Sequence, residues 1–162
     1  MATTSHRISL KLNGEGHTLE VESNDLLLDV LREKLGTKSP KIGCERGDCG
    51  ACTVLLDGKT VRSCLILAVE ADGREVTTVE GLGKDGPTAL QKSFLKHNSF
   101  QCGYCAPGIV LAGHELLAKN PAPNEEEVKE ALAGNLCRCT GYEPIVRAVL
   151  DVRKGKGRRK GK

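Results

Sequence analysis

Large aromatic side chains are almost absent from this 162-residue sequence, which has no tryptophan and an aromatic content of 2%. So few rings cannot form a platform for stacking nucleic-acid bases, so nucleic-acid binding is not expected. Long apolar runs are also missing, and the longest, at residues 65–68 and 109–112, are too short to span a bilayer. Neither an apolar signal core nor a twin arginine is evident, which predicts a cytoplasmic protein.

The net charge of +3 is unevenly distributed. Residues 153–162 carry seven of the 24 basic side chains, which leaves 17 basic against 21 acidic residues in the rest of the chain. A short basic run at a chain end is typical of a solvated segment. We therefore expect residues 153–162 to be a disordered, solubilising tail.

Cysteine is plentiful, with eight residues in two groups of four. Disulfides would suit a secreted chain, but nothing in the sequence points to export. In a reducing compartment, clustered thiols more often hold metal. The first quartet is Cys44, Cys49, Cys52 and Cys64, and the second is Cys102, Cys105, Cys137 and Cys139.

The first half of the chain has strand-like patterns. Apolar residues alternate in Ile8, Leu10 and Leu12, and residues 13–16 form a hairpin-turn sequence. A helix over residues 26–35, capped from residues 23–25, interrupts the strands. The further strands are predicted at residues 18–21, 53–56, 59–62 and 75–78, giving a small β domain over residues 1–82.

Beyond about residue 86, apolar residues recur at the spacing typical of an α-helix. Pro107 suits a first helical turn, and Asn124 with Glu127 resembles a capping box. Four helices are predicted, at residues 88–97, 107–119, 124–132 and 143–152, forming a helical domain over residues 83–152. Residues 80–87 are the predicted linker.

The first quartet has the spacing C-x4-C-x2-C-x11-C, the plant-type pattern of a [2Fe–2S] centre. Three thiolates on one loop require a tightly curled backbone. Gly43, Gly47 and Gly50 can take positive φ and allow backbone N–H groups to approach the sulfurs. Zinc sites usually take two cysteine pairs, so zinc or disulfides are weaker alternatives here.

The second quartet, C-x2-C followed by a distant C-x-C, is less specific, and spacing alone leaves structural zinc open. Cys102 and Cys105 precede the helix opened by Pro107, whose positive end is expected to favour thiolates. In an extended stretch, Cys137 and Cys139 would point their sulfurs the same way. Beside one iron–sulfur centre, a second cluster is the preferred interpretation.

Three motifs together resemble the small iron–sulfur subunit of the molybdenum hydroxylases, the family of xanthine dehydrogenases, aldehyde oxidoreductases and carbon monoxide dehydrogenases. They are GCERGDCGACTV, QCGYCAPG and GNLCRCTGY, at residues 43–54, 101–108 and 134–142. The resemblance covers residues 6–152. Ala106 departs from the threonine that the family often has there, and this leaves both neighbouring cysteines in place.

The resemblance implies an α+β fold, in which a plant-ferredoxin-like β-grasp domain precedes a four-helix [2Fe–2S]-binding domain. The first cluster would face a medium, FAD-binding subunit. The second would lie near a molybdopterin cofactor on a large subunit, with Gln101 and Cys139 approaching the pterin. The implied assembly is a dimer of heterotrimers, in which this chain relays single electrons and has no catalytic residue of its own.

Two other functions remain open at this stage. A free-standing ferredoxin-type carrier would not explain the helical quartet. A zinc-bearing interaction module would explain that quartet, and the basic tail is its only further support.

Overall fold

Five strands form one mixed sheet within the described residues of the first domain. The computed structural model describes residues 4–83 and 86–152, so the predicted tail at residues 153–162 lies outside the described residues. The sheet order is β2-β1-β5-β3-β4; β1 and β5 run parallel, and the other neighbours are antiparallel. The strands are β1 (Ser5–Leu12), β2 (Glu15–Glu22), β3 (Thr53–Leu56), β4 (Lys59–Arg62) and β5 (Glu75–Thr77).

Two tight hairpins join the antiparallel pairs of this sheet. Asn13 and Gly14 have φ values of 55° and 84°, and Asp57 and Gly58 have 50° and 77°. Two consecutive positive φ values are what a two-residue turn between twisted strands requires, and Asn-Gly and Asp-Gly supply them with little strain. Because β2 begins at Glu15, the first turn is shorter than the four residues predicted.

The helix predicted after β2 is present but is irregular. A short α-helix, α1 (Leu27–Asp29), continues directly as a π-helix over Val30–Lys34. The predicted side-chain cap is wrong, because Leu26 occupies the cap position and has no side-chain hydrogen bond. Asp25 instead accepts a hydrogen bond from the N–H of Glu22 and pairs with Lys34 at 2.7 Å. The buried face of this helix packs on the sheet with Ile8, Leu10, Val54 and Val76.

Three 3-10 turns were not predicted: Ser63–Leu65, Ala68–Ala71 and Val79–Gly83. The third occupies part of the predicted linker. Its Glu80 accepts a hydrogen bond from the N–H of Ser39 at 3.1 Å and another from the hydroxyl of Thr78 at 2.6 Å. The beginning of the predicted linker is therefore anchored to the first domain.

Four α-helices follow within residues 86–152, as predicted, and enclose a second apolar core. Thr88 with Gln91 and Asn124 with Glu127 form capping boxes at two of their N-termini. Phe94 is among the largest buried side chains of this core. The helices are α2 (Ala89–Lys96), α3 (Ala106–Lys119), α4 (Glu125–Leu132) and α5 (Glu143–Asp151).

Helix α3 connects the two domains. It packs against β3 and β4 as well as against α2 and α4. Where it faces β4, the partly buried Glu115 carboxylate accepts a hydrogen bond from the backbone N–H of Thr60 at 2.9 Å. The predicted α+β architecture, a β-grasp sheet followed by four helices, is confirmed. No helix in residues 4–83 and 86–152 is long and apolar enough to cross a membrane.

Candidate metal centres

The eight cysteines are all free thiols, and their sulfurs meet in couples. The Sγ atoms of Cys52 and Cys64 lie 3.3 Å apart, and those of Cys102 and Cys139 lie 3.7 Å apart. These separations far exceed the length of a disulfide bond, about 2.05 Å. The remaining side-chain contacts are Cys44 with Cys49 and Cys105 with Cys137.

The couples fit the coordination that a two-iron cluster needs. Two thiolates on one tetrahedral metal lie about 3.7 Å apart when each metal–sulfur bond is about 2.3 Å long. Each quartet supplies two such couples, so each can offer two thiolates to each of two irons. Within residues 4–83 and 86–152, no three His, Cys, Asp or Glu side chains gather to hold a single metal ion. The sulfur couples themselves, two in each quartet, have the arrangement that a two-metal cluster requires.

The β3–β4 hairpin creates the couple of Cys52 and Cys64. Thr53 pairs with Arg62 at the open end of this hairpin, so the residues just beyond each strand are neighbours. The Ser63 hydroxyl also donates to the carbonyl oxygen of Cys52 at 2.7 Å. Leu28 packs against the two sulfur-bearing residues and helps to bury them.

The loop before β3 surrounds the Cys44 sulfur with backbone donors. The N–H of Arg46, then that of Cys49 at 3.3 Å, lowers the pKa of the Cys44 thiol to about 6. Burial has the opposite effect at Cys64: it raises the pKa of that thiol to about 11, and the contact with Cys52 adds to the rise. The N–H of Gly47 partly offsets that rise. The predicted approach of backbone N–H groups to sulfur is present at both positions.

The loop glycines serve two different purposes. Gly47 and Gly50 have φ values of +88° and +72°, as predicted. Gly43 does not have positive φ; a Cβ atom there would lie 2.6 Å from the Cys49 sulfur. It is therefore needed for close approach rather than for conformation. Glu45, at φ 54°, also takes the left-handed conformation, which its residue type gives no reason to expect.

The second quartet is coupled across its two motifs. Cys105 contacts Cys137, and Cys102 contacts Cys139. The predicted extended stretch is wrong: residues 138–140 are bent, and each cysteine of the C-x-C motif turns to a different partner. The couple of Cys105 and Cys137 therefore includes a buried cysteine, Cys105. In the couple of Cys102 and Cys139, both residues are exposed.

The expected thiolate-favouring effect of the α3 N-terminus is outweighed at Cys105, where a backbone hydrogen bond lowers the pKa of the thiol less than burial raises it. Burial raises the pKa of this thiol to about 12, with the Cys137 thiol adding to the rise. Burial also opposes ionisation of Cys137, but bonds from the Thr140 hydroxyl and backbone outweigh it and lower the pKa of that thiol. The Thr140 oxygen lies 3.2 Å from the Cys137 sulfur and also accepts the N–H of Tyr142.

Tyr142 is a supporting residue that the sequence reasoning missed. Its hydroxyl accepts the N–H of Cys137 at 2.9 Å and donates to the carbonyl oxygen of Asn135 at 3.0 Å. The signal was available, since Tyr142 is one of only two tyrosines and closes the third motif. Nearby, the Gln101 amide donates to the carbonyl oxygen of Cys139 at 3.2 Å, at the exposed edge of the quartet.

The two quartets share one boundary. The N–H of Leu136 donates to the carbonyl oxygen of Cys49 at 2.8 Å, so the residue before Cys137 is bonded to the first loop. A cavity of about 330 Å³ lies between the domains, and six of the eight cysteines line it. A larger groove of about 580 Å³, beside Thr60 and Glu115, contains no cysteine. Of these two cavities, the smaller one is therefore the one lined by cysteine sulfur.

Comparisons with known proteins agree with this geometry. A family model described as "2Fe-2S iron-sulfur cluster binding domain" matches residues 10–81, and one described as "[2Fe-2S] binding domain" matches residues 78–150. The chain is 50% identical over 144 residues to the nicotine 6-hydroxylase small subunit of Paenarthrobacter nicotinovorans, covering 89% of this chain and 87% of that protein.

Two further relatives have the same character. The nicotinate dehydrogenase small FeS subunit of Eubacterium barkeri is 50% identical over 143 residues, covering 88% of this chain and 91% of that protein. The crystal structure of quinoline 2-oxidoreductase from Pseudomonas putida 86 contains a chain that is 49% identical, with a TM-score of 0.88 and 91% of both chains covered. The chain belongs to the [2Fe–2S] iron–sulfur subunits of the molybdenum hydroxylase family.

Proposed function

We propose that this chain holds two [2Fe–2S] clusters and relays single electrons between a molybdopterin site and FAD on partner subunits. The first cluster would be bound by Cys44, Cys49, Cys52 and Cys64, and the second by Cys102, Cys105, Cys137 and Cys139. The observation that carries this proposal is the meeting of each quartet's sulfurs in two couples. The family gives the coarser statement, an electron-transfer role within an oxidoreductase.

The clusters would supply one-electron chemistry, and the chain would supply their position, burial and sulfur hydrogen bonds. The N–H groups around Cys44 and the Thr140 hydroxyl at Cys137 are placed to offset negative charge on sulfur. Leu28 excludes water from the Cys52 and Cys64 side. No side chain of this protein needs to act as an acid, base or nucleophile.

The exposed edge of the second quartet supports a partner there. Cys102 and Cys139 are exposed, and Gln101, bonded to the Cys139 carbonyl, lies at the same edge. A redox subunit would not leave this edge open to solvent in its working assembly, because solvent access alters the potential of a cluster. We propose that a large molybdopterin-binding subunit covers it, with Gln101 and Cys139 nearest the pterin.

The first cluster would then face a medium, FAD-binding subunit. Leu65, which follows Cys64 directly, is 57% exposed and offers apolar surface beside that cluster. The relatives' names describe small and FeS subunits, which supports partner subunits here as well. We propose a dimer of heterotrimers in the cytoplasm, with cluster domains at residues 1–82 and 83–152.

Metal analysis of the purified chain tests the cluster assignment. Two clusters predict about four iron and four acid-labile sulfide per chain, with little zinc. About two irons with one zinc would refute the second cluster and leave the first.

Purification from the native host tests the partners: the chain should elute with a larger molybdenum-containing chain and a flavin-containing chain. A chain that always elutes alone would refute the partner assignment.

A further inference from the structure

A buried amide joins the two domains where their cysteine loops meet. The Asn135 side chain is 3% exposed, and its Nδ2 atom donates to the carbonyl oxygen of Gly50 and to the hydroxyl of Thr53, each at 3.0 Å. We propose that Asn135 is a positioning residue that fixes the two cluster loops relative to each other. This inference rests on the proposed function, because it concerns the spacing of the two clusters.

The space around this amide is filled by backbone from both sides. A Cβ atom on Gly50 would lie 2.7 Å from the Nδ2 atom of Asn135, and one on Gly108 would lie 2.9 Å from it. Gly50 belongs to the first cysteine loop and Gly108 to the first turn of α3. The amide is therefore enclosed between that loop and that helix.

Thr53 extends the contact into a network that crosses the domain boundary twice. Its hydroxyl donates to the carbonyl oxygen of Gly50 at 2.6 Å and accepts from both Asn135 and Arg62. Arg62 reaches back across the boundary to the carbonyl oxygen of Gly134 at 2.5 Å. A buried network whose members satisfy one another specifies one arrangement, because each broken bond leaves a polar group without a partner.

Asn135 is also close to a proposed ligand of each cluster: it is two residues before Cys137, and its amide binds Gly50, the residue after Cys49. In the helical domain, the backbone carbonyl oxygen of Asn135 accepts a hydrogen bond from the Tyr142 hydroxyl. The same hydroxyl oxygen accepts a hydrogen bond from the N–H of Cys137. On the other side, Gly50 follows Cys49, whose carbonyl oxygen accepts the N–H of Leu136. Loss of the two amide hydrogen bonds would therefore loosen the contact between the segments that carry Cys49 and Cys137. Positions held by such supporting bonds are what a fixed spacing between two redox centres requires.

The test uses the full chain carrying Asn135→Leu, which keeps the number of side-chain heavy atoms and the branching at Cγ and removes both donated hydrogen bonds. We expect the variant to keep its iron and both cluster signals. Hydrogen exchange of the Leu136 amide should become about tenfold faster or more, the effect of losing hydrogen bonds of ordinary strength. The magnetic splitting between the two reduced clusters should change, which a purely structural role would not produce with the iron content intact.

Glu115→Ala is the matched control. It removes another hydrogen bond between the domains, the one to Thr60, seven residues or about 10 Å along α3 from Gly108. We expect it to leave the exchange of the Leu136 amide and the splitting unchanged. If Glu115→Ala shifts them as much as Asn135→Leu does, domain docking in general is responsible and the inference fails.

A second variant keeps the test decisive if Asn135→Leu does not fold. Thr53→Val removes the hydroxyl that accepts from Asn135 while nearly preserving shape, and it should accelerate exchange of the Leu136 amide in the same direction. Wild-type exchange and splitting in whichever variant folds would overturn the positioning role. A wild-type chain with fewer than four irons would instead refute the proposed function, since exchange of the Leu136 amide is measured independently of iron.

Discussion

The backbone N–H of Leu136 donates to the carbonyl oxygen of Cys49 across the domain boundary at 2.8 Å. Leu136 is bonded in sequence to Cys137, so one hydrogen bond links a residue of the first quartet to the neighbour of a residue of the second. The two quartets are therefore in direct contact, although Cys49 and Leu136 lie 87 positions apart in sequence.

Cys49→Ser should remove the first cluster and spare the second. The serine oxygen is a poor replacement for a thiolate, and Cys49 faces Cys44 in its couple. Iron should fall from about four to about two per chain, and one of two paramagnetic signals should persist. Cys105→Ser is the mirror control, and it should remove the other signal. Equal loss of both signals in either variant would mean that the two domains do not fold independently.

Gly50→Ala should be far more damaging than Gly58→Ala. Both glycines have positive φ, at +72° and +77°, so backbone strain is common to the two variants. A Cβ on Gly58 meets nothing within 4 Å, whereas one on Gly50 lies 2.9 Å from the Cα of Asn135. Gly58→Ala should cost about 1 kcal/mol in the free energy of unfolding. Gly50→Ala should cost at least about 3 kcal/mol, because the domains must separate to admit the methyl group.

Denaturant unfolding of the two variants measures this difference. The wild-type chain and both variants are compared under the same conditions, with the slope of the transition checked for constancy. Equal losses at the two positions would show that strain alone matters, and that the close approach of Gly50 to the helical domain contributes no stability.

Tyr142→Phe should destabilise the second quartet specifically. It removes the hydroxyl that accepts the N–H of Cys137 and donates to Asn135, leaving two partly buried backbone groups without this partner. The expected cost is about 1–3 kcal/mol in the free energy of unfolding. The absorption and paramagnetic spectra of the second cluster should shift while those of the first stay unchanged.

Tyr104→Phe is its matched control, because these are the only two tyrosines in the chain. The Tyr104 hydroxyl donates to the carbonyl oxygen of Ile42 at 2.5 Å, but its side chain is 48% exposed. Water can replace that bond, so its loss should cost about 1 kcal/mol or less. A larger loss of stability in Tyr104→Phe than in Tyr142→Phe would contradict the supporting role of Tyr142.

Glu115→Gln should make the free energy of unfolding depend less on pH in the acid range. Partial burial raises the pKa of Glu115, but bonds from Lys119 and Thr60 outweigh it and leave this pKa below its ordinary value. A lowered folded-state pKa stabilises the chain above the ordinary pKa of 4.5, and the effect is lost as the pH falls through the folded value. Wild type should exceed the variant by about 1 kcal/mol at pH 7.

The measurement is the urea midpoint of both chains between pH 7 and pH 3. The difference should be constant near neutrality and vanish in acid, where Glu115 is protonated in wild type. A difference that grows as the pH falls would reverse the sign of the linkage and refute the assignment of these bonds to the ionised carboxylate.

The sequence alone was enough to predict the two cysteine quartets and most of the secondary structure. The C-x4-C-x2-C spacing, the Asp57–Gly58 turn and the Asn124 capping box act over a few residues, so local physics fixes them. The π-helical turn at Val30–Lys34 and the uncapped start at Leu26 were not predicted, because packing against the sheet overrides local propensity there.

Only the tertiary structure decided which sulfurs meet and what holds the quartets together. Cys105 turns to Cys137 and Cys102 to Cys139 because α3 and the bent segment after α4 face each other. The sequence around Asn135 does not indicate its role, because an asparagine after a glycine is typical of a turn. Its amide becomes a link between domains only when residues 82 and 85 positions earlier in the chain lie against it.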